Sequence, residues 1–567
     1  MGYSRYIDEY ELKVKEYSEL GESTLPFKSF GAKSGVYQER CGTSYMVRPR
    51  TAGGVIDLET LKAVRDISRK YSDGSVRLST RQDFQFHKVE LFDTVSVMKE
   101  LERIGLYSIG SGGNTTRNVA SSPMSGLEKG EAFDITEYAK LASEHLSKDE
   151  NNLALPRKFK TSFSSGERDS GSVTFADMGF LAKLEGGKRK FKVYGGGGLG
   201  PAARLSMVIA ESIDASEMLY YLDAMVEFFR AEGDRENRAK ARLRHLVKKY
   251  GEDEFKSRYA LYLEASRQKD LTFEVEQRPE KERAWASKTR IKSVFLEETK
   301  QEGIYGVYIH PQGGRLTKET LNTVVEFLEG LNHSVELRIT NAQSLLLRDL
   351  GGLEAKSLVE ILRKETFEAE AMKSVCCVGA DTCRVGINSS QGLLEDIYRG
   401  LGKLDHKIRR ELPKLHISGC PSSCGQHQIG AVSFSGKRKN IDGESKEAYA
   451  VYFGGRLGYE KEPKLAERYG DILREDIPVF LKSLAKLKYS SGISDIYEFM
   501  EKEELPPEIK ECKELKECKL FTDKEKLDVW RNNFRGLEYE KGDFLLKGAI
   551  DNLLVKGKKL IVLDYKT

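Results

Sequence analysis

A long-range repeat limits what this chain can fold into more than any other feature. Tyr45-Met-Val-Arg48-Pro-Arg50-Thr-Ala-Gly53-Gly54 lines up with Tyr305-Gly-Val-Tyr308-Ile-His310-Pro-Gln-Gly313-Gly314, at an offset of 260 (313 − 53). A helical pattern follows in each copy. Asp57 is the expected N-cap of the first, with Leu58, Leu61, Val64 and Ile67 on one face. Thr317 caps the second, with Leu321, Val324, Phe327 and Leu328 apolar. Matching strands are expected at 76–82 and 337–343, and second helices at 95–104 and 355–363. This order predicts an α+β unit of the split βαβ kind, present twice. Each copy leads into a longer mixed region, ending in similar segments at 191–200 and 450–458. The chain therefore reads as two homologous halves with a functional site at their junction.

The second half carries the densest chemistry. Cys377 and Cys383 enclose Val-Gly-Ala-Asp-Thr, and Cys420 and Cys424 enclose Pro-Ser-Ser. Two thiol pairs on tight turns suit a cubane iron–sulfur cluster, and Gly379, Gly419, Pro421 and Gly425 supply the turn chemistry. The bland alternative is a set of buried, unreactive cysteines. Cys376, beside Cys377, competes as a ligand, although only Cys377 gives the five-residue spacing. Cys41, Cys376, Cys512 and Cys518 are otherwise read as ordinary thiols.

The combination C-x5-C and G-C-P-x-x-C-G resembles the sirohaem-containing sulfite and nitrite reductases, and the likeness runs from about Tyr37 to about Gly458. It implies that Cys377, Cys383, Cys420 and Cys424 hold a [4Fe–4S] cluster and that Cys424 also bridges to the sirohaem iron. It implies a ferredoxin-like half-domain in each half. Arg81 in Thr-Arg-Gln-Asp-Phe-Gln, Arg117 in Arg-Asn-Val, and Lys158 and Lys160 in Leu-Pro-Arg-Lys-Phe-Lys-Thr match the family's substrate-anion residues. Alone, each of these would be a surface salt-bridge partner or a solvated basic run. In the family's order, with the cysteines downstream, they read as one site. Lys158 and Lys160 are two apart, so on a strand they share a face. Arg48 and Arg50 fit a family motif near the cofactor, and Gln85 is a further candidate. Guanidiniums suit the many carboxylates of sirohaem because they bind through paired hydrogen bonds.

Aligned by eye across the repeat, Arg81 falls opposite Ala342 and Arg117 opposite Cys377. One half would thus keep the anion-binding residues while the other carries the cluster ligands. The expected layout is an N-terminal arm at 1–30, half-domains at 31–106 and 296–366, an anion- and sirohaem-binding region at 107–295, a cluster region at 367–490 and an extension at 491–567. Reduction of sulfite to sulfide or of nitrite to ammonia needs electrons that side chains cannot supply, so a cofactor must carry them. Lys160 favours sulfite, because plant-type nitrite reductases tend to carry Asn there. The run Cys424-Gly-Gln-His-Gln-Ile-Gly430 favours nitrite. Sulfite is the leading expectation, with nitrite the alternative. A non-catalytic iron–sulfur electron carrier is the alternative from another class.

The net charge of +4 over 567 residues gives no global pull toward nucleic acid. The basic stretch 236–249 reads as a solvated helix face, and 267–292 as a charged linker. Gly195-Gly-Gly-Gly-Leu-Gly200 formally matches a dinucleotide fingerprint, but Pro201 follows and the other half does not keep the pattern, so a bound NAD or flavin is discounted. Electrons would then come from ferredoxin or a separate flavoprotein. The polar N-terminus and the lack of a spanning apolar run lead to the expectation of a cytoplasmic protein without membrane contacts.

Overall fold

The computed structural model describes residues 3–276, 278, 283–441, 443–458 and 462–501, together with the backbone of Leu553–Lys556 and Lys559–Val562. The chain divides into a unit spanning Met1–Phe521 and a second spanning Thr522–Thr567. Of the second, an antiparallel strand pair is described. Cys512, Cys518 and most of the expected extension lie outside the described residues. Among the described residues no helix is long and apolar enough to cross a membrane.

The repeat is visible as two pairs of five-stranded sheets. In the first half the strands Val36–Gln38, Tyr45–Val47, Phe84–Val89 and Val76–Leu78 lie side by side. The same order recurs in the second half with Leu296–Glu298, Ile304–Ile309, Leu345–Gly351 and Leu337–Ile339. Each of these sheets is completed by a strand from the other half. Arg315–Leu316 pairs with Arg77 and Val76, and Val55–Ile56 pairs with Arg338 and Leu337. The exchange follows from the Gly-Gly turns. Gly53 and Gly313 both take positive φ, 62° and 57°, and throw the next two residues across the junction.

Helices Leu58–Tyr71 and Lys318–Glu329 start as expected, with Asp57 accepting the Thr60 N–H at 2.8 Å and Thr317 accepting the Thr320 N–H at 3.2 Å. They pack side by side, and a single apolar core including Leu61, Val64, Leu321 and Val325 runs through both half-domains. The strand expected at 76–82 stops at Leu78. Ser79–Asp83 is instead a tight turn closed by the Ser79 N–H on the Asp83 carbonyl (2.9 Å), with Gln82 at φ 61°. The counterpart Thr340–Ser344 is closed in the same way, with Gln343 at φ 60°.

The other sheet pair begins with parallel strands and ends antiparallel. Ala120–Ser121, Thr161–Ser164, Met178–Glu185, Lys188–Gly195 and Met207–Asp214 correspond to Val375–Cys376, Leu415–Ser418, Val432–Ile441, Glu444–Phe453 and Glu467–Leu473. Here the repeat offset changes. Ala120 pairs with Ser162 while Val375 pairs with His416, so Cys377 falls opposite Ser122 and not opposite Arg117. The offset of the half-domains does not extend to this region, because the connecting loops of the two halves differ in length.

Candidate functional site

The turn at Ser79–Asp83 presents Arg81 to the neighbouring sheet. Its Nε donates to the Asn118 carbonyl at 2.8 Å, Nη1 to Ser162 Oγ at 3.1 Å, and Nη2 to the Thr161 carbonyl. Arg117 is fixed in the same manner, by the Ser111 carbonyl at 2.8 Å and the Gly113 carbonyl at 2.6 Å. Burial brings each guanidinium down to about 10. Backbone pairing of Thr116 with Phe159 sets Arg117 beside the lysine segment, and the Arg117 N–H meets the Phe159 carbonyl at 2.8 Å. Phe159 is fully buried, stacked near Phe229, so its neighbours Lys158 and Lys160 emerge together on the opposite face.

Both lysine side chains are half-buried. Neither has a carboxylate within ion-pairing distance among the described residues. Burial first, then Arg242, holds Lys158 at about 7, and burial and Lys158 hold Lys160 well below the usual lysine range.

Sequence reasoning missed Arg242 and Arg244. The stretch 236–249 was expected to be a solvated face, but these side chains are only 7% and 6% exposed. Arg242 pairs with the fully buried Asp177 at 3.0 Å, and Asp177 also accepts the Lys160 backbone N–H at 3.0 Å. Arg244 donates to the Leu199 and Pro201 carbonyls. The glycine run explains itself here. A Cβ on Gly198 would lie 2.7 Å from Arg242 Nη2 and 2.9 Å from Arg244 Nη1, so glycine lets two guanidiniums press onto the backbone. No signal in the local sequence marks these arginines, because their partners come from distant segments.

Arg48 lies over the Tyr37 ring at 5.5 Å, close enough to Arg117 to act on it electrostatically. Arg50 reaches the Arg117 carbonyl at 3.4 Å and borders a separate cavity of about 1270 Å³ that none of Arg81, Arg117, Lys158 and Lys160 lines. The Gln85 amide is directed at Met46 Sδ (3.8 Å).

The four cysteines sit on two turns of the second half. The Gly419 N–H points at Cys377 Sγ (3.1 Å), and the Cys383 N–H closes a turn on the Gly379 carbonyl (2.8 Å). Ser423 and Gln426, both at positive φ, fold the turn that carries Cys424. Cys376 points away, fully buried in the apolar core with its thiol directed at the Ser390 carbonyl. The thiols of Cys377, Cys383 and Cys420 each feel Cys424, and Lys158 feels Cys424 across the junction. A hydrogen bond from Thr80 Oγ1 to the Cys424 carbonyl (3.2 Å) and the paired amide contacts of Gln428 with Gly200 (2.8 and 2.9 Å) join the same halves.

The donor set fits the expected groups. Ser122, Glu128 and Ser170 occupy, in the first half, the places of Cys377, Cys383 and Cys424. There Ser170 Oγ lies within hydrogen-bonding distance of Ser122 Oγ (2.6 Å) and of Glu128 Oε2 (3.1 Å), so this backbone brings those three positions together. Among the described residues no three such side chains close on a single metal ion. A four-iron cluster holds its thiolates further apart than one ion does. For a polycarboxylate macrocycle, the cations outnumber the carboxylates Asp83 and Asp177. Buried Nε atoms of Arg48, Arg117, Arg242 and Arg244 are left without a protein partner.

The duplicated α+β scaffold thus sets the cysteine-bearing turns of one half across the junction from half-buried cations of the other. Residues 37–104 match the nitrite/sulfite reductase ferredoxin-like half domain, and residues 112–266 match the nitrite and sulphite reductase 4Fe–4S domain. Both matches are to nitrite and sulphite reductase domains, and the relatives below are reductases of the same kind, whose cofactors are sirohaem and a [4Fe–4S] cluster. It is 26% identical to a ferredoxin–nitrite reductase of Synechococcus elongatus, over 78% of this chain and 85% of that one. It is 27% identical to the assimilatory ferredoxin-dependent nitrite reductase of Haloferax mediterranei, over 80% and 81%. It is 26% identical to sulfite reductase [ferredoxin] 1 of Mycolicibacterium paratuberculosis, over 80% of both. The fold matches the structure of the Mycobacterium tuberculosis NirA protein with a TM-score of 0.73 at 22% identity, covering 88% of this chain and 94% of that one. The 4Fe–4S match falls on the half that has Ser122, Glu128 and Ser170 where the other has cysteines, as expected for two halves with one backbone.

Proposed function

We propose that this chain reduces sulfite to sulfide, and that Arg81, Arg117, Lys158 and Lys160 form the floor on which the anion is held. The observation carrying this is the pair of unpartnered ammonium groups on one face, set against Cys424 across the junction. Arg48, Arg50 and the other cations would hold sirohaem, and Cys377, Cys383, Cys420 and Cys424 would hold the cluster; the two groups together would supply the electrons. The chain's own residues do the rest. Arg81 and Arg117 are locked by backbone carbonyls and so present fixed positive charge where negative charge must be held. Lys158, held at about 7, both keeps and releases a proton near neutrality, which suits it to hand protons from Nζ to oxygens leaving as water. Lys160 adds a second positive group, matched to the higher charge of sulfite. In this reading 107–295 serves the anion and 367–490 the cluster. Ferredoxin is the donor we favour, since the relatives are named as ferredoxin-dependent.

Nitrite reduction to ammonia is the second reading, favoured by the names of most of the relatives reported above. The two separate on kcat/KM for sulfite and nitrite, measured on one cofactor-replete preparation with a chemical one-electron donor. Sulfite should be preferred, and Lys160→Asn should lower its kcat/KM by about tenfold or more, about 1.4 kcal/mol, with a smaller effect on nitrite. A preference for nitrite that Lys160→Asn leaves alone would install the nitrite reading. No turnover of either anion would leave an electron carrier.

A further inference from the structure

The turn that delivers Arg81 also buries an acid. Asp83 is 2% exposed, and its Oδ1 has no hydrogen-bond partner. Its carboxyl receives the backbone N–H of Thr51 and feels Arg48 and Arg50 from the segment after Tyr45–Val47, Arg81 from its own turn, and Arg117 from the loop before Ala120–Ser121. None of these cations comes within ion-pairing distance of it. Asp83 is thus an anion placed among the guanidiniums yet bonded to none.

The other half shows that this position is built to face its neighbour. Ser344 occupies the place of Asp83 at the end of the equivalent turn, and His310 the place of Arg50. Ser344 Oγ and His310 Nδ1 are hydrogen-bonded. The same two positions lie close enough to influence each other in both halves, but only in the second are they bonded. In the first half the pair has become a carboxyl and a guanidinium, next to cations that exceed the carboxylates present.

We propose that Asp83 is a positioning residue that compensates charge: ionised while the guanidiniums have no other anion, and protonated once the carboxylates of the bound macrocycle take over that role. It rests on the reading that Arg48, Arg50 and Arg81 face the sirohaem carboxylates and the substrate. One proton enters from water on loading, and no electron moves. Burial already raises the Asp83 carboxyl to about 6 against the pull of the arginines, so added negative charge nearby tips it over at neutral pH.

The test is infrared spectroscopy of the full-length protein, prepared with and without sirohaem, at a pH of about 7.5. A protonated-carboxyl band is expected in the loaded protein, absent from the unloaded protein and from loaded Asp83→Asn. Asp83→Ser, the residue of the second half, serves if the Asn variant does not fold and should also lack the band. Both variants should retain sirohaem, since the neutral side chain mimics the loaded state. A loaded protein without the band, or a band that survives both substitutions, overturns the proposal and leaves the reductase reading intact. A folded native protein that takes up no sirohaem overturns the reading beneath it.

Discussion

Asp83 and Asp177 are both buried acids beside arginines, and geometry gives them different energetics. Asp83 has no ion pair, and its carboxyl lies above the ordinary aspartate value of 3.8, at about 6. A raised acid is easier to accommodate protonated. Its contribution is whole below a pH of about 4, is lost as pH climbs toward about 6, and costs on the order of 3 kcal/mol beyond that. Urea midpoints of unloaded protein should therefore fall between a pH of about 4 and 7 more steeply for the native chain than for Asp83→Asn. Equal slopes would show that Asp83 is not the group responsible. Asp177 instead sits against Arg242 with both side chains buried. Arg242→Met should cost about 3–5 kcal/mol in urea unfolding because it strands the carboxylate, and adding Asp177→Leu should recover part of that loss. The four cations proposed for the anion site are chosen from linear motifs. Arg242 could not be, since a run of Arg and Lys looks alike whether it faces water or a carboxylate 65 residues away.

Turns rather than strands aim the site. Gln82 clamps Ser121 through two amide hydrogen bonds, 2.9 and 2.8 Å, while Gln343 accepts the Cys376 N–H at 2.8 Å and thereby sets the residue before Cys377. The turn after Ser418 depends on one close approach. A Cβ on Gly425 would meet the Ile417 carbonyl oxygen at 2.0 Å, and one on Gly171 would meet Phe163 at 1.8 Å. Gly425→Ala should abolish iron and acid-labile sulfide in purified protein. Gly171→Ala, in the half without the cysteines, should lower thermal stability while iron bound per folded molecule stays near native. Loss of iron from both to the same degree would show that the two turns are not independent. The helices and their caps were legible because periodicity and Asp57 or Thr317 are local signals. The turn at Ser79–Asp83 was taken for strand, since nothing in Ser-Thr-Arg-Gln-Asp announces that Gln82 adopts positive φ.

At the scale of the molecule, the repeat was legible and the crossing of its strands was not. Val55–Ile56 and Arg315–Leu316 are short, and their pairing partners lie in the opposite half. With one apolar core shared by both half-domains, the unit holding them should unfold as one. Differential scanning calorimetry is expected to show a single main transition for it, and separated melting of the two halves would contradict the shared core. The exchange also sets a schedule. Leu316 is synthesised 240 residues after its partner Val76 (316 − 76). At about 5–20 residues per second, the first sheet waits roughly 12–48 s on the ribosome with an unfilled edge. Such an edge invites pairing with any passing strand. The nascent first half is thus the stage at which this edge stands open, and the arrival of two residues from the second half covers it.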